Sequence, residues 1–212
     1  MTRLDALESV IVPAETIADV GCDHGLVAKY CVTAGLAELV IASDISEACL
    51  DKARHTLADE KNVQFVRCDG IGYSCDEAVI SGMGGLLICG ILDRANADGL
   101  LPTTLVLLPH RDADAVRRKL TELKYGIDKD FMIKDRGRYY SVIRAERRGA
   151  AQSLTERQYL FGAFCEVKSD VLVEYLTEKY KIYLVAPERN ADKLSKLRDC
   201  LSLQGADVGG DI

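Results

Sequence analysis

The chain of 212 residues has no long apolar run. Its longest, near residues 105–109, is far too short to cross a bilayer, so no membrane partner is expected. It also has no Cys-x-x-Cys pair. Its eight cysteines, at 22, 31, 49, 68, 75, 89, 165 and 200, lack the usual signature of a zinc site or a thioredoxin-type motif, and no metal is expected. Most should be buried, reduced thiols, which suits a cytoplasmic protein. Residues 1–10 alternate charged and apolar side chains and do not read as a secretory signal. Nor is there an excess of positive charge, since the net charge is −6.

What is present suffices for a packed core. Hydrophobic residues make up 48% of the chain, which excludes wholesale disorder. The length fits one domain of about 150 residues and an appendage. The charge is uneven. Residues 111–148 hold 12 Lys/Arg against 7 Asp/Glu, while the remainder holds 15 against 26. One basic segment thus sits on an acidic chain, as a solvated surface or as a phosphate-tracking patch.

Strand-like runs fall at 16–20, 39–43, 63–68, 78–81, 104–108, 127–134 and 138–144. Helical stripes separate several of them. These are Leu26, Val27, Tyr30, Cys31 and Ala34 with Gly35 as cap; Leu50, Ala53 and Leu57 after the N-cap Ser46; Leu87, Ile88, Ile91 and Leu92; and Val116, Leu120 and Leu123 from near Asp112. Such alternation predicts an α/β fold with a mostly parallel sheet. Only Asp135-Arg136-Gly137 separates the last two strands, so they form a hairpin and one runs antiparallel. A parallel sheet ending in an antiparallel hairpin is the seven-stranded topology of Rossmann-like class I methyltransferases. This domain is expected over 1–149. A C-terminal helical pair is expected over 150–204, on the stripes Leu172, Leu176, Tyr180, Tyr183 and Leu194, Leu197, Leu201, with Pro187 ending the first helix or opening the second. Residues 205–212 are expected to be a disordered tail.

The first strand runs into Asp19-Val20-Gly21-Cys22-Asp23-His24-Gly25. Glycine-rich strand-to-helix turns hold nucleotide-type cofactors. Here Asp23 takes the place of the second glycine of a dinucleotide fingerprint. A carboxylate there repels a diphosphate and suits a cation, and S-adenosylmethionine carries an ammonium and a sulfonium. Asp44 ends strand 2 and can accept from ribose hydroxyls; Asp69 ends strand 3 and can accept from an adenine amine. Strand 4 runs into Ser81-Gly82-Met83-Gly84-Gly85. It lacks the Asn/Asp-Pro-Pro-aromatic loop with which exocyclic amines are methylated. A ring nitrogen such as adenine N1 has an in-plane lone pair and needs no such loop.

Asp-Val-Gly-Cys-Asp-His at 19–24, Ser-Gly-Met-Gly-Gly at 81–85, Gly-Arg-Tyr-Tyr at 137–140 and Leu-Phe-Gly at 160–162 resemble the TrmK family of bacterial tRNA (adenine-22-N1)-methyltransferases. The resemblance runs from about residue 3 to 203. It implies S-adenosylmethionine as cofactor and tRNA as partner. It implies cofactor contacts from Gly21, Asp44, Asp69, Gly82, Met83 and Gly84, and a catalytic role for Asp23. Asp19, Cys22, Ile45, Gly70 and Ser81 share these turns and join the candidate cofactor set. His24 is either a proton shuttle or a polar turn residue. Pro109, His110, Arg117, Arg118 and Arg138 are the candidate substrate contacts. Two segments depart from the family pattern: Gly25-Leu26-Val27-Ala28 stands for Ala-Tyr-Leu-Pro, and Leu108-Pro109-His110 for Gln-Pro-Asn. A methyltransferase of a small molecule or protein, or a non-catalytic RNA- or cofactor-binding module, remains open on the sequence.

Overall fold

Seven strands form one sheet in the order β3-β2-β1-β4-β5-β7-β6. The computed structural model describes residues 1–150 and 152–206. The strands are β1 (Ala14–Val20), β2 (Ala37–Asp44), β3 (Val63–Arg67), β4 (Glu77–Ser81), β5 (Thr104–Leu108), β6 (Tyr125–Asp135) and β7 (Arg138–Arg147). β1 to β5 pair in parallel. β7 is antiparallel to both β5 and β6, so it alone is reversed. Arg136 and Gly137, both at positive φ, make the tight turn of that hairpin.

Helices cover both faces. On one lie α1 (Arg3–Glu8), α2 (Leu26–Thr33) and α3 (Glu47–Thr56), packed through Leu7, Val27, Cys31 and Leu50. On the other lie α4 (Gly85–Ala97) and α5 (Ala113–Glu122), packed through Ile88, Leu92, Val116 and Leu120. Ser46 caps α3 as expected, accepting from the Cys49 N–H. Gly35 closes α2 in a Schellman motif, its N–H bonding Val32 O while that of Leu36 bonds Cys31 O. Two leucines expected on buried stripes are not buried: Leu26 is 54% exposed and Leu87 is 52% exposed. Each sits in the first turn of its helix, level with the edge where the sheet ends.

The appended part has three helices, α6 (Glu156–Phe161), α7 (Asp170–Tyr183) and α8 (Ala191–Leu203). The expected pair is α7 and α8, joined around Leu172, Leu176, Tyr180, Leu194, Leu197 and Leu201. Pro187 lies between them and belongs to neither. The tail expectation is corrected at its start. Gly205 and Ala206 donate to Ser202 O and Leu201 O and close α8. Residues 207–212 lie outside the described ones. Among the described residues no helix is long and apolar enough to cross a membrane. No group of three or more His, Cys, Asp or Glu among them is placed to hold a metal. All eight cysteines are free; Cys22, Cys31, Cys165 and Cys200 are buried and the others half-buried.

Candidate cofactor and substrate site

Parallel strands bring their carboxyl ends to one edge, and the candidate residues gather there. The turn after β1 is tied to β2 by Gly21 and Cys22, whose N–H groups both bond Ser43 O at 2.8 and 2.9 Å. Gly21 sits at a φ of +73°, a left-handed conformation that residues with a Cβ rarely adopt, and Met83 Cε packs over it from the loop after β4. Asp44 at the end of β2 fastens two turns. Its Oδ2 accepts from Asp23 N at 3.2 Å and its Oδ1 from Ser46 N at 2.8 Å. Ile45, the next residue, is 62% exposed and gives that edge an apolar surface.

Asp19 is buried at the end of β1 and accepts from Ala28 N at 3.1 Å. Burial, partly offset by that hydrogen bond, pushes its carboxyl up to about 7. Burial, reinforced by Asp19 and Asp44, pushes the Cys22 thiol up to about 12, so it stays protonated and is no nucleophile. Asp23 behaves oppositely. Its side chain is half exposed, with Lys52 Nζ at 2.9 Å and His24 Nε2 at 3.7 Å. The Lys52 hydrogen bond holds its carboxyl below the usual carboxylate range. Asp23 is therefore an anion at neutral pH. Asp69 stands exposed beyond β3 with Arg94 Nη2 at 3.1 Å, and Gly70 packs on Ile91.

Asp19, Gly21, Cys22, Asp23, His24, Ser81 and Gly82 line a cleft of about 280 Å³, together with Arg3, Leu26 and Leu108. Beside it lies a groove of about 510 Å³ between the sheet edge and α7, lined by Pro109, His110, Arg111, Arg138, Tyr139, Glu178 and Lys179 among others. Met83 O accepts from His110 N at 2.8 Å, and Gly84 caps α4, so the glycine loop is tied to the segment that begins the groove. Burial, with Arg3 and Arg138 nearby, holds the His110 imidazole below its ordinary pKa.

The expected arginine contacts divide. Arg117 is corrected: it is only 1% exposed and makes a bidentate ion pair with Asp130, at 2.7 and 3.0 Å. Burial in that pair keeps it from any phosphate. Arg118 is exposed but forked onto Glu156 at 2.7 Å and stacked on Tyr159. Arg138 is exposed at the groove. Arg144 is buried between Asp128 and Glu146. Arg147 and Arg148 emerge at the opposite edge, where they bond Thr103 O and Lys124 O.

Sequence reasoning missed Arg3, Lys52 and Arg94. Each reaches its acidic or imidazole partner from a distant element, and spacing carries no signal for that. His55 is exposed, and of the neighbouring tyrosines of β7 Tyr140 is core while Tyr139 is half-buried. Tyr180 is core, and Tyr175 and Tyr183 pack against the same cluster.

An edge with acids at the ends of β2 and β3, an anion beside a glycine turn, and a cleft opening to a groove can hold a cationic nucleoside against a large substrate. The family described as "Methyltransferase domain" matches residues 1–143. A Mycoplasma pneumoniae protein named "Putative tRNA methyltransferase" is 33% identical over 151 residues, covering 68% of this chain and 70% of its own. The Bacillus subtilis tRNA (adenine(22)-N(1))-methyltransferase is 25% identical over 222 residues, covering 95% and 93%. The structure of Mycoplasma capricolum TrmK in complex with S-adenosylhomocysteine superposes with a TM-score of 0.86 at 18% identity, covering 96% and 98%. The chain belongs to the methyltransferase-domain family, and within it is similar to proteins named as tRNA methyltransferases.

Proposed function

We propose that the protein transfers the methyl group of S-adenosylmethionine to N1 of an adenine in the tRNA D-arm, adenine 22, in the cytoplasm. The observation that carries this is the ionised Asp23 on the lip of the cleft, at a glycine turn where a dinucleotide enzyme needs a bare backbone. The residues present fit the cofactor. Asp44 stands at the end of β2 for the ribose, Asp69 just beyond β3 for the adenine amine, and Asp19 lines the cleft for the ammonium. When bound, S-adenosylmethionine supplies an electrophilic methyl group on a sulfonium.

The chain's own residues do the rest. The Ser81-Gly82-Met83-Gly84 loop offers no side-chain amide or carboxylate to an exocyclic amine. That favours a ring nitrogen, whose lone pair already lies in the base plane. Attack by adenine N1 forms the N–CH3 bond and leaves the S–CH3 electron pair on sulfur. Positive charge then builds on the base, and the Asp23 carboxylate stabilises it or takes the exocyclic proton. The base must leave its stacked position, which costs a few kcal/mol, roughly. Phosphate contacts from Arg138 at the groove offset this. The test is incubation with total tRNA and methyl-labelled S-adenosylmethionine, followed by mapping of the modified nucleoside. N1-methyladenosine at one D-arm position is expected. Label in protein, in small molecules or nowhere overturns the reading.

A further inference from the structure

Arg3 and His110 meet where the cleft joins the groove. Arg3 lines the cleft with Asp19, Gly21 and Asp23, while His110 lines the groove. A base that reaches the methyl group from the groove passes this pair. Arg3 Nη1 lies 3.3 Å from His110 Nε2. A guanidinium only donates, so Nε2 is the acceptor and the ring proton sits on Nδ1. Arg3 is itself fixed from two sides. Its Nε bonds Asp135 Oδ2 at 3.2 Å, and its guanidinium lies 5.2 Å from the centroid of the Tyr140 ring. His110 meets the same ring edge-on at 5.6 Å. Its backbone is held by Met83 O.

We propose that Arg3 is a positioning residue that holds His110 as an uncharged hydrogen-bond donor against the base being methylated. The reasoning rests on the proposed function. Methylation at a ring nitrogen makes the base a cation, and an imidazolium at the same wall would oppose that charge. Asp135, bonded to Arg3 Nε, offsets part of the Arg3 charge, and what remains still opposes a proton on the ring. The guanidinium occupies the one ring atom that a second proton would need. The charged groups nearest His110 are Arg3 from α1, with Asp135 of β6 behind it, and Arg138 from β7, and Tyr140 of β7 meets the ring edge-on; Arg111 and Asp112 beside it and Glu178 and Lys179 of α7 line the same groove. Arg3 and Arg138 oppose its protonation, and no carboxylate bonds the ring among the described residues.

The test is kcat/KM with tRNA across about pH 5 to 9, alongside NMR titration of the His110 ring, for the wild type, Arg3→Met, Arg3→Lys and His110→Asn. In the wild type the rate should fall on the acid side as His110 protonates. Arg3→Met removes one opposing charge. Its acid limb and its His110 titration should both move up by roughly half a unit to one unit. Arg3→Lys keeps the charge and should restore most of the shift. His110→Asn removes the titrating ring and should lose that limb, with kcat/KM lowered at every pH. Identical acid limbs in all four proteins, in a wild type that methylates tRNA, overturn this inference and leave the proposed function standing. A wild type that methylates no tRNA overturns both, whatever the NMR titration reads.

Discussion

Replacing Arg117 with alanine separates the folded role of this arginine from the RNA contact its sequence neighbourhood suggests. The guanidinium is nearly sealed from solvent and all its contacts are internal. Nε and Nη2 grip Asp130, Nη2 also bonds Ser141 Oγ at 3.0 Å, and Nη1 bonds Tyr159 O at 3.0 Å. Asp130 in turn accepts from Ala163 N at 2.6 Å. Tyr159 lies in α6 and Ala163 just after it, so the pair fastens the appended helices to β6. Removing one partner of such a buried pair leaves the other charge uncompensated and costs about 3–5 kcal/mol. In a chain of this size each kcal/mol lowers the melting midpoint by roughly 2–4 °C, so a fall of roughly 6–20 °C is expected. Circular dichroism during heating reads it directly, and limited proteolysis should show earlier cutting near residues 150–165. Changing both partners together, Arg117→Met with Asp130→Leu, should recover most of the loss, because apolar pairs of similar volume often replace buried ion pairs without cost. A melting midpoint unchanged in Arg117→Ala, with tRNA affinity reduced, would refute this reasoning and return Arg117 to the RNA.

Four further outcomes are expected. Asp44→Ala should weaken S-adenosylmethionine binding on the order of tenfold or more by calorimetry, since charge-assisted hydrogen bonds contribute roughly 1.5–3 kcal/mol each; unchanged affinity removes its assignment to the ribose. Asp23→Asn should lower turnover by roughly 10²–10⁴ with both affinities little changed, whereas lost cofactor affinity with intact turnover makes it a binding residue only. Arg138→Ala should flatten the salt dependence of tRNA binding by roughly 0.7–0.9 in slope, and normal binding across a salt series leaves it as solvated surface. Glu77 is buried, its carboxylate has no hydrogen-bond partner among the described residues, and burial pushes it up to about 7. Its folded pKa lies above the unfolded one, so stability should fall as pH rises from about 4.5 through about 7; Asp19, also raised to about 7, adds to the same slope, so Glu77→Gln should reduce it without abolishing it and stabilise the protein at pH 8 by on the order of 2–3 kcal/mol, and equal slopes in denaturant titrations would reject this.

All seven strands and the glycine turns were legible because the physics that places them is local. A buried parallel strand is a short apolar run, and it stops where Gly and Asp begin. The hairpin was legible for the same reason, with three residues leaving no room for a helix. α1 and α6 were not. Each is six residues long; α1 buries only Ala6 and Leu7, and α6 buries none, so neither shows a periodic stripe. Within the site, carboxylates at strand ends could be read off one by one. Their cationic partners could not, because Lys52 reaches Asp23 from α3 and Arg94 reaches Asp69 from α4. Those pairings exist only once the helices have packed.

The basic segment shows how folding rewrites a charge count. Twelve cations over residues 111–148 read as one patch in sequence. The hairpin splits them. Its turn carries Arg136 and Arg138 past the end of β5, to the edge where the cofactor turns gather, because Leu107 pairs with Ile143 and the strands diverge from there. The same register sends Arg147 and Lys124 to the far edge, since Tyr125 pairs with Arg147. Between the ends, Arg117 is spent on the buried Asp130, Arg144 on Asp128 and Glu146, Lys134 on Glu174, and Lys119 on Asp93 and Glu122. What faces an incoming polyanion beside the cleft is therefore small: Arg138, Arg136 and the largely exposed Arg111, with Lys179 across the groove on α7. A few phosphates at one edge fit a site that holds one stretch of RNA while a single base turns inward. They do not fit a surface that coats RNA along its length, and a salt slope worth only a few contacts is the corresponding expectation for tRNA binding.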